Sequence, residues 1–287
     1  MYERYFKLKS KPFALSPDPS FLFPSRQHAA ALTMLEYGIE SQAIFCLLTG
    51  EIGSGKTTVV RQLIRMLGDQ FAVGLVSNTH ERFGSILPWA LSSLGVAAPG
   101  DSDIAQYEAL TNFAIREYGK GRRTVLIFDE AQNLSIALLE ELRLLSNINS
   151  ERDTALQVLL VGQPELRSKL ARAELTQFAQ RVSVDFHLDC LSLIEARAYV
   201  QHRLKVAGCS AELFQPDAVA FIHARTGGTP RLMNQLCDLA LVYAFAEQVQ
   251  SIDEQLVRQV LQDRTRGLAN PMFAARPVGT GAAVKRI

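Results

Sequence analysis

Gly50-Glu51-Ile52-Gly53-Ser54-Gly55-Lys56-Thr57 decides the fold of this 287-residue chain. It fits the pattern Gly-x4-Gly-Lys-Thr in full, and its flanks fit as well. Before it, Ala43 to Leu48 is an unbroken apolar run, as expected of a strand buried on both faces. After it, Val60, Leu63, Ile64 and Leu67 recur at helical spacing over 56–67. Arg61, Gln62 and Arg65 fall on the opposite face, and Gly68 ends the helix. A strand, a glycine-rich turn and a helix N-terminus in that order build an anion cradle. The glycines let backbone N–H groups turn inward, and the helix offers its positive end to a phosphate. In such a loop Lys56 bridges β- and γ-phosphates and the Thr57 hydroxyl ligates Mg²⁺. Gly50, Ile52, Gly53, Ser54, Gly55, Lys56, Thr57 and Thr58 are therefore expected to hold ATP.

Val125 to Phe128 is a second apolar run, and it ends in Asp129-Glu130. An isolated acidic pair after a strand is usually a solvated turn. Downstream of a phosphate loop it becomes the second nucleotide motif. Asp129 would hold the Mg²⁺ through its hydration shell, and Glu130 would orient and deprotonate the attacking water. Glu130 moves the expectation from nucleotide binding to ATP hydrolysis. A further run, Leu156 to Val161, is followed by Gly162-Gln163-Pro164, so Gln163 is placed to meet a γ-phosphate or that water. Asn78 follows another strand and could hold Glu130 idle; a plain turn residue fits that position equally. Arg181 precedes a short strand, and Arg231 opens a helix after Thr226-Gly227-Gly228-Thr229-Pro230. A guanidinium at either place could stabilise a transferring phosphoryl group.

Strands are expected over 43–48, 71–76, 124–128, 156–161 and 182–186. Helices are expected after Ser25, over 56–67, 83–94, 104–119 and 135–147, with Pro88 kinking or delaying the third. This alternation implies a three-layer α/β fold around a parallel sheet with right-handed crossovers. Beyond residue 190 only helical patterns remain, over 192–207, 216–225, 231–247 and 253–264. The expected organisation is an irregular N-terminal strap (1–24), an α/β core (25–190), an all-α lid (191–266) and a disordered tail (267–287). The strap carries Tyr5, Phe6, Phe13, Phe21 and Phe23, with Pro12, Pro17, Pro19 and Pro24 opposing a long helix there.

Composition is that of a globular chain: 48% hydrophobic, 21% charged, net charge +1. There is no global basic signature of nucleic-acid binding. The four cysteines lack zinc spacing and the five histidines lack a metal-site pattern. No run approaches the roughly 18 to 20 apolar residues of a membrane span, and the N-terminus lacks an apolar signal core. A cytoplasmic chain is expected, reaching a membrane only through a partner.

Taken together, YFKLKSKPFALSPDPSFLF, LEYGI, TGEIGSGKTT, FDEAQNLS, LEELRLLSN, GQPELR, QRV and TGGTPRLMNQLCD cover most of the chain. They resemble AAA+ ATPases of the Orc/Cdc6-like and transposon-helper branch. More closely they resemble the ExeA (GspA) secretion-ATPase family, with its MshM-type pilus and exosortase-locus members. The resemblance implies a P-loop NTPase core with a helical lid, nucleotide at their junction, and an N-terminal strap bordering the adenine. It implies that Gln163 is the sensor of the fourth strand, that Arg181 is an arginine finger acting on a neighbouring subunit, and that Arg231 is the lid sensor. It also implies a homo-oligomer and a protein partner in a bacterial envelope system: secretion, pilus or exopolysaccharide. Longer secretion members add a transmembrane helix and a periplasmic peptidoglycan-binding region. A chain with neither would leave work at the cell wall to partners. The alternative is a transposition-helper or replication-type ATPase that binds DNA. The near-neutral charge and the lack of an evident winged-helix pattern weigh against it.

Overall fold

A computed structural model describes residues 1–15, 19–21, 23–77, 84–150, 153–209 and 211–265. The contacts divide the chain into two units, Pro24–Asp189, and Met1–Phe23 with Cys190–Ile287. The short helix α1 (Tyr2–Tyr5) opens the chain and belongs to the second unit.

The first unit continues with α2 (Arg26–Glu40), β1 (Phe45–Gly50), α3 (Lys56–Leu67), β2 (Phe71–Val76), α4 (Leu87–Ser93), α5 (Asp103–Gly119) and β3 (Arg123–Phe128). It is completed by α6 (Ile136–Leu145), β4 (Leu156–Gly162), α7 (Pro164–Leu170), α8 (Thr176–Ala179) and β5 (Val182–Leu188). The starts of the long helices follow local chemistry. Ser25, Ser102 and Ser135 each stand in extended backbone and accept a first-turn N–H. Pro88 falls in the first turn of α4, so that helix starts late, where its missing N–H is harmless.

The strands form one parallel sheet in the order β2-β3-β4-β1-β5. Alternate residues feed two apolar layers. Phe45, Leu47, Leu126, Phe128, Val158 and Leu160 face the side that also buries Leu91, Leu110, Leu139 and Leu166. Cys46, Leu48, Val125, Ile127, Leu159 and Val161 face Leu35, Ile39, Val60 and Leu63 of α2 and α3. Burial on both faces is why these strands read as continuous apolar runs. The result is the expected three-layer α/β fold.

Gln157 interrupts the β4 run yet is buried. Its amide nitrogen donates to the carbonyls of Ile39 at 3.2 Å and Ala43 at 2.9 Å, tying the turn between α2 and β1 to the sheet. Gln157→Leu is expected to cost about 1–3 kcal/mol, because buried carbonyls lose a donor. Chemical denaturation checks this; an unchanged midpoint would show that the turn needs no such tie.

Some boundaries differ from expectation. β1 runs from Phe45 to Gly50, two residues beyond the apolar run, because Thr49 is buried with its hydroxyl 3.0 Å from His187 Nδ1 of β5. β5 extends to Leu188. Helices α7 and α8 are too short to show a helical period, and sequence patterning missed them.

The second unit adds α9 (Leu193–Val206), α10 (Pro216–Thr226), α11 (Pro230–Ala246) and α12 (Glu254–Thr265). Residues 1–24 are not wholly irregular, since Tyr2–Tyr5 is helical and precedes the first proline. Tyr2, Phe6, Phe13 and Phe21 share one apolar core with Val200, Leu204, Met233, Leu236 and Leu241. The N-terminal segment is therefore part of the helical unit. Arg203 of α9 fastens it: Nε donates to the Pro12 carbonyl at 2.5 Å and a terminal nitrogen to that of Ala14 at 3.0 Å. Its guanidinium also lies 4.6 Å from the Phe21 ring centroid. Asn78 and the tail from Gly267 lie outside the described residues. No described helix is long and apolar enough to cross a membrane.

Candidate nucleotide site

The sheet order sets β3, β4 and β1 side by side, so their C-terminal ends meet on one edge. The open end of a parallel sheet is where ligands bind in such folds. Gly50 ends β1, Asp129 follows β3, and Gln163 follows β4.

The loop after β1 is built by its glycines. Gly53 has φ +80° and Gly55 φ +107°, left-handed values that a side chain resists. At Gly50 a Cβ would lie 2.7 Å from the Leu188 carbonyl and 2.8 Å from Ser54 Oγ. At Gly55 a Cβ would overlap the His28 imidazole. His28, in the first turn of α2, was not read from the sequence as part of the site. Its Nε2 is 3.1 Å from the Ser54 carbonyl and its Nδ1 2.6 Å from Ser25 Oγ. A carbonyl only accepts, so Nε2 carries a hydrogen, and in the neutral imidazole Nδ1 accepts from the Ser25 hydroxyl. The imidazole thereby props the loop from behind.

Gly55 is the N-cap of α3, so the helix starts at Lys56 and presents its N-terminus to the loop. Lys56 is buried at 7% exposure, and its Nζ donates to the carbonyls of Gly50 at 2.8 Å and Glu51 at 2.9 Å. Ile52, Thr57 and Thr58 are exposed, while Ser54 is fully buried. Thr57 Oγ1 donates to Asp129 Oδ2 at 3.4 Å, bringing the loop and the β3 acid together. Burial holds the Asp129 carboxyl above the usual carboxylate range, and the Glu130 charge pushes the same way. The Glu130 N–H, Lys56 and Thr57 pull it down. A hydroxyl and a carboxylate beside a basic phosphate cradle are hard oxygen donors, which suits Mg²⁺ completed by water and phosphate oxygens. The residues fit the group.

Glu130 has φ +55° and ψ +36°, a left-handed conformation unusual for a residue with a side chain. Its carboxylate accepts from the side-chain amides of Gln132 at 2.6 Å and Gln163 at 3.3 Å. Gln163 thus meets Glu130, a contact beyond the γ-phosphate or water expected of it from the sequence. Gln132 was missed, because only the folded turn turns it back onto Glu130.

Arg181 is bonded within its own unit. One Arg181 terminal nitrogen donates to Ser146 Oγ, and at 3.4 Å to the Arg143 carbonyl and Asn147 Oδ1, at the C-terminal end of α6. Arg231 is exposed in the first turn of α11, after Gly227 and Gly228 with φ +59° and +71°.

Residues 39–170 match the model of the AAA domain family. The chain is 38% identical over 247 residues to General secretion pathway protein A of Aeromonas hydrophila. That match covers 86% of this chain and 45% of the relative, so the chain spans about half the relative's length. Among solved structures, the Aeropyrum pernix ORC2 protein in its ADPNP-ADP complexes superposes with a TM-score of 0.65 at 18% identity, covering 89% of this chain and 72% of that one. Cdc6p from Pyrobaculum aerophilum gives 0.64 at 17% identity, covering 88% and 70%. These structural likenesses establish the fold, residues 39–170 carry the matched AAA domain, and over 86% of its length the chain is similar in sequence to General secretion pathway protein A.

Proposed function

We propose that the chain binds ATP with Mg²⁺ at Gly50–Thr58 and hydrolyses it, and that hydrolysis drives or regulates assembly of a bacterial envelope system. The observation that carries the chemical part is the meeting of three strand ends. Lys56 and Thr57 lie on one side, Asp129 stands 3.4 Å from Thr57 Oγ1, and Glu130 is held beside Asp129 by two amides. Phosphoryl transfer asks a protein mainly for positioning and charge stabilisation. The loop N–H groups and Lys56 would neutralise the phosphates. Thr57 and Asp129 would hold Mg²⁺, which when bound offsets charge on the phosphate oxygens. Glu130 would take the proton of the attacking water, with Gln163 ordering that water or the γ-phosphate. Arg181 would be supplied to a neighbouring copy, and Arg231 would report the nucleotide state. The envelope role is supported by the identity to a protein named for the general secretion pathway.

Phosphate release from ATP by the purified chain tests the chemistry. Lys56→Ala is expected to weaken ATP binding by tenfold or more, since a charge-assisted bond is worth about 1.5–3 kcal/mol. Hydrolysis at the wild-type rate in that variant would overturn the reading. The process is tested by whether the wild-type gene, but not Lys56→Ala, restores secretion, pilus or polysaccharide assembly in a deletion strain. Normal assembly in the deletion strain, together with salt-sensitive, ATP-dependent retention of duplex DNA, would favour the DNA-binding alternative.

A further inference from the structure

Glu130 occupies a left-handed backbone conformation that is strained for a residue with a side chain, so its surroundings must hold it there. The turn after it, Ala131–Asn133, is pinned from α7. Lys169 Nζ donates to the carbonyls of Gln132 at 2.6 Å and Leu134 at 2.7 Å. Within this turn the Gln132 side chain spans two strand ends. Its amide nitrogen donates to Glu130 Oε2 at 2.6 Å, and its amide oxygen accepts the Gln163 backbone N–H at 3.0 Å. The amide orientation is fixed by its partners, because a carboxylate only accepts and a backbone N–H only donates. Gly162 leaves room for the bridge: a Cβ there would lie 2.9 Å from Gln132 Oε1.

We propose that Gln132 is a positioning residue for the hydrolytic base, aiming Glu130 and coupling it to the end of β4. The inference rests on the reading of Glu130 as that base. Its chemistry is restrictive. Glutamate at 132 would lose the donor and set a second carboxylate against Glu130. Lysine or arginine would lose the acceptor, and asparagine is one methylene short. The Gln163 side chain bonds the same Glu130 oxygen at the longer distance of 3.3 Å. If a γ-phosphate draws Gln163 away, Gln132 is the amide that keeps Glu130 aimed. Any shift of the β4 end also reaches Glu130 through the Gln163 N–H and the Gln132 amide. The base and the β4 sensor then move as one unit.

The test compares Gln132→Leu and Gln132→Glu with wild type in the full chain, by steady-state phosphate release, titration with a fluorescent ATP analogue, and pH profiles. Gln132→Leu is expected to lower kcat by about 10- to 100-fold, less than the roughly 10² to 10⁴ of losing a general base outright because Glu130 itself remains, while analogue affinity changes less than about threefold. Gln132→Glu pairs two carboxylates that share a proton, so the acid limb of kcat should move up by about a pH unit or more. A purely structural role would lower kcat and affinity together. Wild-type kcat in Gln132→Leu, or an unshifted profile in Gln132→Glu, overturns the proposal. Should the leucine variant fail to fold, the near-isosteric glutamate variant decides through the same split of kcat against affinity. Glu130→Gln separates the two layers: if it hydrolyses normally, the base assignment fails. If it is inactive while both Gln132 variants behave as wild type, only the Gln132 inference fails.

Discussion

Arg181→Ala is expected to leave ATP binding nearly intact and to abolish the rise in turnover that accompanies self-association, an effect of about 10³ to 10⁵ in rate. In the isolated chain Arg181 is fastened to its own α6, where its guanidinium meets Ser146, the Arg143 carbonyl and Asn147. A cation there also suits the negative end of the helix, worth about 0.3–1 kcal/mol. Loss of these contacts should therefore cost little stability, which makes the alanine variant a clean probe. Turnover in wild type should rise steeply with protein concentration, and in the variant it should stay at the dilute value. Arg181→Lys keeps the charge but lacks the planar fork, so it should recover only a small part of the rise. Mixing gives the sharper measurement. Arg181→Ala keeps an intact phosphate loop, and Lys56→Ala keeps an intact Arg181. If the arginine acts on a neighbour, the two inactive proteins should regain phosphate release when combined. Strict additivity of the two would mean that Arg181 serves no neighbouring site.

Sequence was most informative where structure is local or burial is two-sided. The phosphate loop, its flanking strand and helix, and the acids after β3 are contiguous, so their chemistry could be placed before any fold was known. β3 and β4 were legible because both of their faces are covered, leaving no polar alternation to blur them. What escaped notice depends on partners far along the chain. His28 reaches the Ser54 carbonyl, Gln157 reaches the turn before β1, and Arg203 reaches Pro12 from the other end of the sequence. Each is a polar side chain with no local signature, and its role exists only after the chain has folded. Thr49 shows the same limit at a strand end, since its burial depends on His187 in β5. The prolines of the first 24 residues did oppose a long helix, but they follow Tyr2–Tyr5 and could not forbid one turn there.

The second large effect is expected from Glu130→Gln, which should lower hydrolysis by about 10² to 10⁴ while ATP binding persists. Glutamine matches glutamate in shape and tolerates the same backbone strain no worse. Its amide oxygen can still accept from Gln132, whose nitrogen stands 2.6 Å from the present carboxylate. The turn should thus survive, with a melting temperature close to wild type. What disappears is the capacity to take a proton from water, because a neutral amide is not a base at neutral pH. Lys56, Thr57 and Asp129 are untouched, so nucleotide should enter and remain. The expected signature is stable retention of unhydrolysed ATP on a gel-filtration column, against ADP for wild type. Asp129→Asn gives the contrasting pattern: it should weaken Mg²⁺ affinity and hydrolysis together, so that more Mg²⁺ is needed, since it removes a charged oxygen donor. If Glu130→Gln turns over at the wild-type rate, the proton leaves through another group, and the amide bridge around Glu130 needs a different explanation. If it loses binding as well as turnover, the two amides were stabilising the loop and not the base.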